Sequence, residues 1–333
     1  MTLIVVIPVL NEAAHLPRLL EQFVADPVVD RIVVADGGST DGSREIVTAW
    51  AAHDTRIVLL ANPDRIQSAG INRAVAIHGG AHRWLLRVDA HCRYPDGYAR
   101  RLLAAAETKN ATSVVVPLVT TGSGCFQRAA AAAQNSAIGT GGSAHRHLGQ
   151  GRFVDHGHHA LMNLALFRQV GGYCAAMHCN EDAELDHRLV AAGGRIWLEP
   201  GAAVGYFPRS TPKGLWRQYR RYGEGRARNI ARHRMRLKPR QAIPLLVPIA
   251  LALLPLAFLS PLLALPALFW ATAVGGAGIA VGLRTGGGCA LFSGIAAMIM
   301  HAAWGFGYIK ERLTHPGGVP ARHGLGKLGR ETS

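Results

Sequence analysis

The sequence predicts an α/β unit built on a mainly parallel sheet, followed by apolar helices able to cross a membrane. Three observations carry this. Short β-branched runs alternate with amphipathic stretches over residues 1 to 120. Acidic landmarks come in a fixed order, Asp36, Asp89 and the Glu181-Asp182 pair, and the first two directly follow apolar runs. Residues 242–283 hold no charge, a length about twice the ~20 residues that span a bilayer.

Strands are predicted at residues 3–7, 32–35, 57–60, 84–88 and 113–117. Amphipathic stretches over 12–23, 43–52 and 69–77 lie between them, which makes βαβ units and a parallel sheet. Asp41 is placed to cap the second helix. Residues 134–159 break the pattern: Gly139, Gly141, Gly142, Gly149 and Gly151 mix with Ser, Gln and five histidines. This reads as one long lid or binding loop. Packed structure resumes over 160–207, with the turn Gly171-Gly172-Tyr173, a helix opening near Glu181, and short strands around 195–198 and 203–207.

The formal net charge is +15, and two-thirds of it lies in residues 213–240, with eleven Lys or Arg against Glu224 alone. Placed just before the oily region, this block fits anionic lipid headgroups, where each basic residue contributes about 1 kcal/mol. Membrane lipids, and no nucleic acid, are the expected partners. Pro255, Pro261 and Pro266 punctuate the apolar run, which reads as two spans joined by a tight turn; the uncharged residues 285–309 are long enough for a third. The positive-inside rule keeps residues 1–240 cytoplasmic. The expectation is a multi-pass protein of the inner (plasma) membrane. Three spans would export Lys310, Arg312, Arg322, Lys327 and Arg330 against the same rule, so one segment reads equally as re-entrant or interfacial.

Cys92, Cys125, Cys174, Cys179 and Cys289 are odd in number and scattered, which predicts reduced thiols. Cys174 and Cys179 flank His178, but no second Cys or His pair has matching metal-site spacing. The run Ile4-Val5-Val6-Ile7-Pro8 is too short for a secretory signal and lacks a basic flank. After the first strand there is neither Gly-x-Gly-x-x-Gly nor Gly-Lys-Ser/Thr, which counts against oxidoreductases and P-loop NTPases.

Each acidic landmark has two readings. Asp36, before Gly37-Gly38-Ser39, accepts either a nucleobase N–H or ribose hydroxyl from a ligand brought close by the glycines, or the amides of its own turn. Asp89 and His91, at i and i+2 after a buried strand, either hold a divalent cation or form a strand-end turn. Mg²⁺ keeps waters and substrate phosphates and needs few protein ligands, whereas the imidazole favours Mn²⁺. Arg87 has phosphate or Asp89 as its partner. Glu181 and Asp182 suit the first turn of a helix through its dipole and also suit a general base. Glu184 and Asp186 follow them, and some of these four acids are expected to be simply solvated. Arg221, in Gln218-Tyr219-Arg220-Arg221-Tyr222, either forks onto a diphosphate or lies in a membrane-surface helix. His145, His147, His156, His158 and His159 lack a Cys or acidic partner at zinc-site spacing and are expected to line an acceptor pocket.

As a set these motifs resemble family 2 inverting glycosyltransferases of the GT-A fold. Ile7-Pro8-Val9-Leu10-Asn11-Glu12 resembles the family's opening strand and turn, which touches the nucleotide; Asp36 matches its uracil-binding aspartate. Asp89 and His91 stand at its Asp-x-Asp metal position, with His for the last Asp. Gly171-Gly172-Tyr173 followed by Asn180-Glu181-Asp182 resembles its Gly-Gly-Phe…Glu-Asp segment, whose aspartate is the base. Gln218 to Tyr222 resembles the Gln-x-x-Arg-Trp of membrane polysaccharide synthases. Arg65-Ile66-Gln67-Ser68-Ala69-Gly70, Arg87 to His91, Gly141 to His145 and Asp155 to His159 are similar to succinoglycan-type exopolysaccharide glucosyltransferases.

The resemblance implies a Rossmann-like GT-A domain over 1–210, a basic interfacial region over 211–241, two or three spans over 242–310 and a basic tail over 311–333. It implies a UDP-glucose donor, a polyprenyl-diphosphate-linked sugar acceptor, a β-linkage, Mn²⁺ or Mg²⁺ at Asp89 and His91, and other exopolysaccharide assembly enzymes as possible partners. Pro8, Glu12, Asp36, Arg65, Asp89 and Arg221 would bind the nucleotide sugar. Gln218, Tyr222, His158 and His159 would bind the acceptor. Asp182 would be the base, with Glu181 as the second choice. The rival expectations are a processive polysaccharide synthase, a polyprenyl-phosphate glycosyltransferase, and a non-catalytic membrane scaffold with a vestigial nucleotide pocket.

Overall fold

The computed structural model describes residues 2–142 and 149–317. Along the chain come β1 (Leu3–Val9), α1 (Leu16–Val24), β2 (Arg31–Asp36), α2 (Ser43–His53), β3 (Ile57–Ala61), α3 (Gln67–His78), β4 (Trp84–Arg87), α4 (Tyr98–Thr108), β5 (Ser113–Val116) and β6 (Leu118–Thr120). Then follow α5 (Cys125–Gln134), α6 (Ala137–Thr140), β7 (Arg152–Val154), β8 (His158–Asn163), α7 (Leu164–Gln169), α8 (Glu181–Ala191), β9 (Ile196–Leu198) and β10 (Val204–Tyr206). The rest is helical: α9 (Pro212–His233), α10 (Pro239–Leu253), α11 (Leu265–Thr285) and α12 (Ser293–Thr314), with short 3₁₀ turns before and after α11. Two compact units share this chain. Within the described residues the first is 2–118 with 149–204, and the second is 119–142 with 205–317.

The first unit is an eight-stranded sheet in the order β3-β2-β1-β4-β8-β5-β9-β7. The β1, β2, β3 and β4 pairings and the β5–β9 pairing are parallel; β8 runs antiparallel between β4 and β5, and β7 antiparallel beside β9. The predicted mainly parallel sheet is therefore present. β1 and β2 read as continuous apolar runs because the sheet is covered on both faces. α1 buries Leu16, Leu19, Leu20 and Phe23, one helical face. Ile4, Val6, Val33 and Leu85 of the sheet pack with Ile71 and Val75 of α3, Phe167 of α7, and Leu185 and Leu189 of α8.

From β1 the chain steps outward to β2 and β3, then returns to place β4 on the other side of β1. The crevice beyond the C-terminal ends of β1 and β4 is thus the switch point at which open α/β sheets bind ligands. β6 and β10 pair as a separate ribbon where the chain leaves the first unit.

Two local expectations change. Residues 134–159 are not one loop: α5 runs to Gln134, α6 follows, and β7 and the start of β8 lie inside the stretch. β7 has three residues and an exposed edge, so it leaves no apolar run to read. Residues 143–148, with His145 and His147, lie outside the described residues, as do Arg322, Lys327 and Arg330. Asp41 stands one position before the N-cap, which is Gly42 at φ 93°. Its carboxylate instead accepts from the Ser43 amide (3.1 Å) and hydroxyl (2.6 Å) and from the Ala13 amide (2.9 Å).

In the second unit the basic helix α9 lays Leu215, Tyr219, Gly223 and Ala227 along one buried stripe. Leu215 and Tyr219 join Ala296, Ala297, Met300 and Ala303 of α12 and Ala130 and Ala133 of α5 in one core. A Cβ on Gly223 would stand 2.0 Å from the Trp304 carbonyl oxygen, and one on Gly307 2.0 Å from that of Arg220, so only glycine permits this helix approach. Three segments, Pro239–Phe258, Pro261–Thr285 and Gly288–Thr314, are long and apolar enough to cross a membrane. The first two leave large apolar side chains exposed, Leu246, Phe258, Phe269 and Leu283 among them; half of the third is buried.

Five reduced thiols is an expectation the structure corrects. Cys125 and Cys289 form a disulfide across 164 positions, while Cys92, Cys174 and Cys179 remain thiols. Counting cysteines does not show which two the fold brings together.

Candidate active site

The site is built at the switch point of the first unit. Two loops are stitched there before any charged side chain enters. Asn11, in the left-handed region at φ 59°, donates its amide to Ser39 Oγ (2.8 Å) and accepts the Thr40 amide on Oδ1 (2.9 Å). The Glu12 amide donates to Ser43 Oγ (2.9 Å). The turn after β1 and the turn after β2 are thereby held together. Pro8 lies within β1 opposite Ala35.

Asp36 ends β2, buried, and both carboxylate oxygens serve its own turn: Oδ2 accepts the Gly38 amide (3.0 Å) and Oδ1 the Ser39 amide (3.1 Å). Gly38 has φ 88°, and the guanidinium of Arg65 would lie 3.5 Å from a Cβ placed there. Asp36 and Arg65 are neighbours at this turn. β2 is two strands from β4, about 10 Å along the sheet edge at ~4.8 Å per strand.

Arg87, the last residue of β4, is the centre of the site. Its side chain is 4 % exposed. A buried guanidinium is costly unless several acceptors surround it, and here four do. It bonds Asp182 Oδ1 and the Tyr173 hydroxyl (3.1 Å), and lies 3.3 Å from Asp89 Oδ1 and 3.6 Å from Glu181 Oε1. Tyr173 also donates to Asp182 Oδ1 (3.0 Å). Burial raises the Asp89 carboxyl pKa, but Arg87, His158 and His91 together more than offset this and hold it below its ordinary value. At Glu181 burial and the adjacent Asp182 charge win over Arg87, and the carboxyl is pushed up to about 7.

The chain reaches this geometry by local means. Gly171 (φ 81°) and Gly172 (φ 67°) make a left-handed turn that a side chain would strain. Buried Asn72 of α3 clasps the next residue, donating to the Tyr173 carbonyl (2.8 Å) and accepting its amide (2.9 Å). Asn180, at φ 58°, starts α8 so that Glu181 and Asp182 occupy its first turn, where the helix dipole favours carboxylates.

Three histidines border the acids. His91 Nδ1 is 3.2 Å from Glu12 Oε1. His158, at the start of β8, stands between two carboxylates, with Nε2 3.8 Å from Asp89 Oδ2 and Nδ1 3.9 Å from Asp182 Oδ2. His156 Nδ1 is 2.8 Å from Asp186 Oδ2, which also accepts the Gly157 amide (3.2 Å). The side chain of His159 lies outside the described residues. The expectation that some of the α8 acids are simply solvated fails for Glu184 and Asp186. Both are fully buried, and Glu184 is held by Arg188 at 3.0 and 2.6 Å.

No three His, Cys, Asp or Glu side chains form a metal cage among the described residues. Asp89 Oδ1 is taken by Gln67 and Arg87, and Oδ2 lies 3.8 Å from His158 Nε2. One carboxylate oxygen and a nearby imidazole suit an ion that keeps waters and phosphates as its other ligands.

The structure thus joins Glu12, Asp89, His91, His158, Glu181 and Asp182 into one cluster, with Asp36 and Arg65 at the adjoining turn. Gln218, Arg221 and Tyr222 belong to α9 of the second unit. There the Gln218 amide donates to the hydroxyls of Tyr206 (2.8 Å) and Tyr222 (3.2 Å), and Arg221 is exposed. Sequence reasoning missed Tyr173 and Gln67 as site residues and gave Arg87 too few partners. The available signal for Arg87 was a lone charge ending an otherwise apolar strand.

Comparison with known proteins bears on the family and the fold. The model of a family described as "Glycosyl transferase family 2" matches residues 4–171. The chain is 46% identical over 313 residues to the succinoglycan biosynthesis protein ExoA of Rhizobium meliloti (strain 1021), covering 93% of this chain and 94% of that one. Among solved structures it resembles a mannosyltransferase of Pyrobaculum calidifontis in complex with GDP-Man and Mn²⁺. The TM-score is 0.56 at 20% identity, over 93% of this chain and 86% of the other. That likeness supports the GT-A sheet arrangement.

Proposed function

Because this chain belongs to glycosyl transferase family 2 and is a glycosyltransferase, we propose that it moves a sugar, glucose, from a UDP-sugar to a polyprenyl-diphosphate-linked saccharide during exopolysaccharide assembly. The observation that carries this reading is the gathering of Asp89, Glu181 and Asp182 around buried Arg87 at the sheet's switch point. The kinship with a succinoglycan biosynthesis protein supports the pathway class. The exposed apolar surface of α10 and α11 supports a membrane location close to a lipid-borne acceptor, which raises its local concentration.

The reaction is a single inverting displacement. Asp182 takes the proton of the attacking acceptor hydroxyl, and such a base contributes about 10²–10⁴ in rate. Arg87 and Tyr173 fix one of its oxygens and leave Oδ2 for the substrate. Asp36, Arg65, Pro8 and Glu12 are assigned to the nucleotide, and Arg221 is assigned to the leaving diphosphate. Gln218, Tyr222, His158 and His159 are assigned to the acceptor. Asp89 and His91 would hold Mn²⁺ or Mg²⁺, which when bound neutralises the departing diphosphate and orients it.

The deciding experiment offers a panel of radiolabelled UDP-sugars to the purified protein with membrane lipid extract. One donor, UDP-glucose, should label the lipid fraction. If no nucleotide sugar labels lipid under any divalent-ion condition, the reading is wrong.

A further inference from the structure

By length alone all three apolar segments qualify as membrane spans. The third differs in that, besides packing on α10 and α11, where Gly305 closes on Pro244 and Gly294 on Gly278, it is held by α5, α6 and α9. α12 is tied at its head, middle and foot to parts of the chain that precede every apolar segment. At its head, the Cys125–Cys289 disulfide joins the turn before α12 to the start of α5. Farther along, Ala296, Ala297 and Met300 pack on Ala130 and Ala133 of α5, and His301 Nε2 lies 2.6 Å from the Ile138 carbonyl oxygen of α6. Near its foot, Gly307 closes on the Arg220 backbone of α9, and Glu311 accepts both arms of Arg228 at 2.7 and 3.1 Å.

Connectivity fixes the side of those anchors. α5 and α6 lie between residues 118 and 149, both of the first unit, and α9 starts before the first apolar segment. Among the described residues nothing between them and the first unit is long and apolar enough to cross a membrane. A crossing by α12 would therefore drag α9 through beside it. From Leu215 to Arg228, α9 follows α12 for about 20 Å at 1.5 Å per residue, two-thirds of the ~30 Å hydrocarbon core. That stretch carries Arg217, Arg220, Arg221, Arg226 and Arg228 with Glu224. Charge at that density is not accommodated in hydrocarbon.

We propose that α12 stays out of the bilayer. Only the tip of the α10–α11 hairpin, beyond the stretches where Pro248 meets Gly305 and Trp270 meets His301, enters it, with both ends on the side of the catalytic unit, and the chain leaving α12 is on that side too. The inference rests on the membrane location given under Proposed function. Exposed Phe258, Leu259, Leu262 and Phe269 are the lipid-facing surface. Arg284 at the end of α11, and Lys310 and Arg312 at the end of α12, then share a side with the basic helix α9. This removes the conflict that three spans create with the positive-inside rule.

The test uses the full chain with an epitope after Ser333, and a second version with the epitope at the N-terminus. Sealed spheroplasts and inverted vesicles are treated with protease. Both epitopes should survive in spheroplasts and both should be lost in inverted vesicles, with the chain resisting alkaline carbonate extraction. Loss of the C-terminal epitope alone in spheroplasts puts α12 across the bilayer and overturns the inference, while sugar transfer by the same membranes reports separately on the transferase reading. Release by carbonate overturns the membrane location and the hairpin together. Leu313→Cys, at an exposed site on α12, gives the same readout with an impermeant maleimide should the tag disturb folding.

Discussion

Arg87 donates to the carboxylate of Asp182 across 95 positions of sequence. The bond links the end of β4 to the first turn of α8, so one buried charge holds two segments of the site in register. Arg87→Met leaves Asp89, Glu181 and Asp182 without their shared cation. Removing one partner from a buried ion cluster costs about 3–5 kcal/mol. Thermal unfolding of the detergent-solubilised variant should show that loss, and Arg87→Lys, which keeps charge but not the fork, should fall between. A wild-type melting profile for Arg87→Met would show that the guanidinium is not what holds the acids.

Asp182→Asn keeps the shape of the α8 turn and removes the base. Transfer should fall by about 10²–10⁴ while UDP binding, measured by calorimetry, persists. Near-wild-type turnover would take Asp182 out of the mechanism.

The role of Glu181 is separable by pH. Burial and the neighbouring Asp182 push its carboxyl up to about 7, so it is neutral on the acid side of that value and charged above it. A charged Glu181 strengthens Asp182 as a base, so the transfer rate should rise with pH through an apparent pKa near 7. Glu181→Gln should lose that limb yet keep transferring; complete loss of transfer would make Glu181 the base instead. Stability has the opposite sign. The fold holds this proton more tightly than the unfolded chain does, so the contribution is complete below the unfolded value and is lost as pH rises through about 7. The melting temperature should fall over that window in the wild type, and Glu181→Gln should be flatter.

Chelation tests the proposed ion. EDTA should stop transfer and Mn²⁺ or Mg²⁺ should restore it, whereas Asp89→Asn should not be rescued by either. Unchanged turnover in chelator removes the ion from the reaction.

The parts legible in sequence are those whose signal is local. The strands at Ile4, Val33 and Leu85 announce themselves because both faces of the sheet are covered, and Asp36 and Asp89 follow those strands directly. The Asn180-Glu181-Asp182 turn is likewise a contiguous signal. What stayed hidden depends on distant partners. Arg87 finds Asp182, and Cys125 finds Cys289, only after the chain folds. β8 escaped because an antiparallel strand opening on His158 and His159 lacks the alternation that marks a half-buried strand. Asp186 looked like solvent-facing charge because its partner His156 lies 30 positions away, whereas Glu184 stands four residues before its partner Arg188, a helical pairing signal that the spacing does offer.

Gly157 tests whether the start of β8 is positioned as tightly as the site requires. Its amide donates to Asp186, and a Cβ there would lie 2.4 Å from Val115 Cγ2 of β5, beside the irregularity in the β5–β8 pairing. Gly157→Ala therefore has to push β8 off β5. His158, the next residue, would shift relative to Asp89 and Asp182. Forcing a methyl into a packed core costs about 1–3 kcal/mol, which should appear as a lower melting temperature. Transfer should fall by more than donor affinity does, because the shift acts on the acids and not on the turn at Asp36. Wild-type stability and kinetics in Gly157→Ala would mean that β5 yields at Val115 and that His158 is not held by this contact.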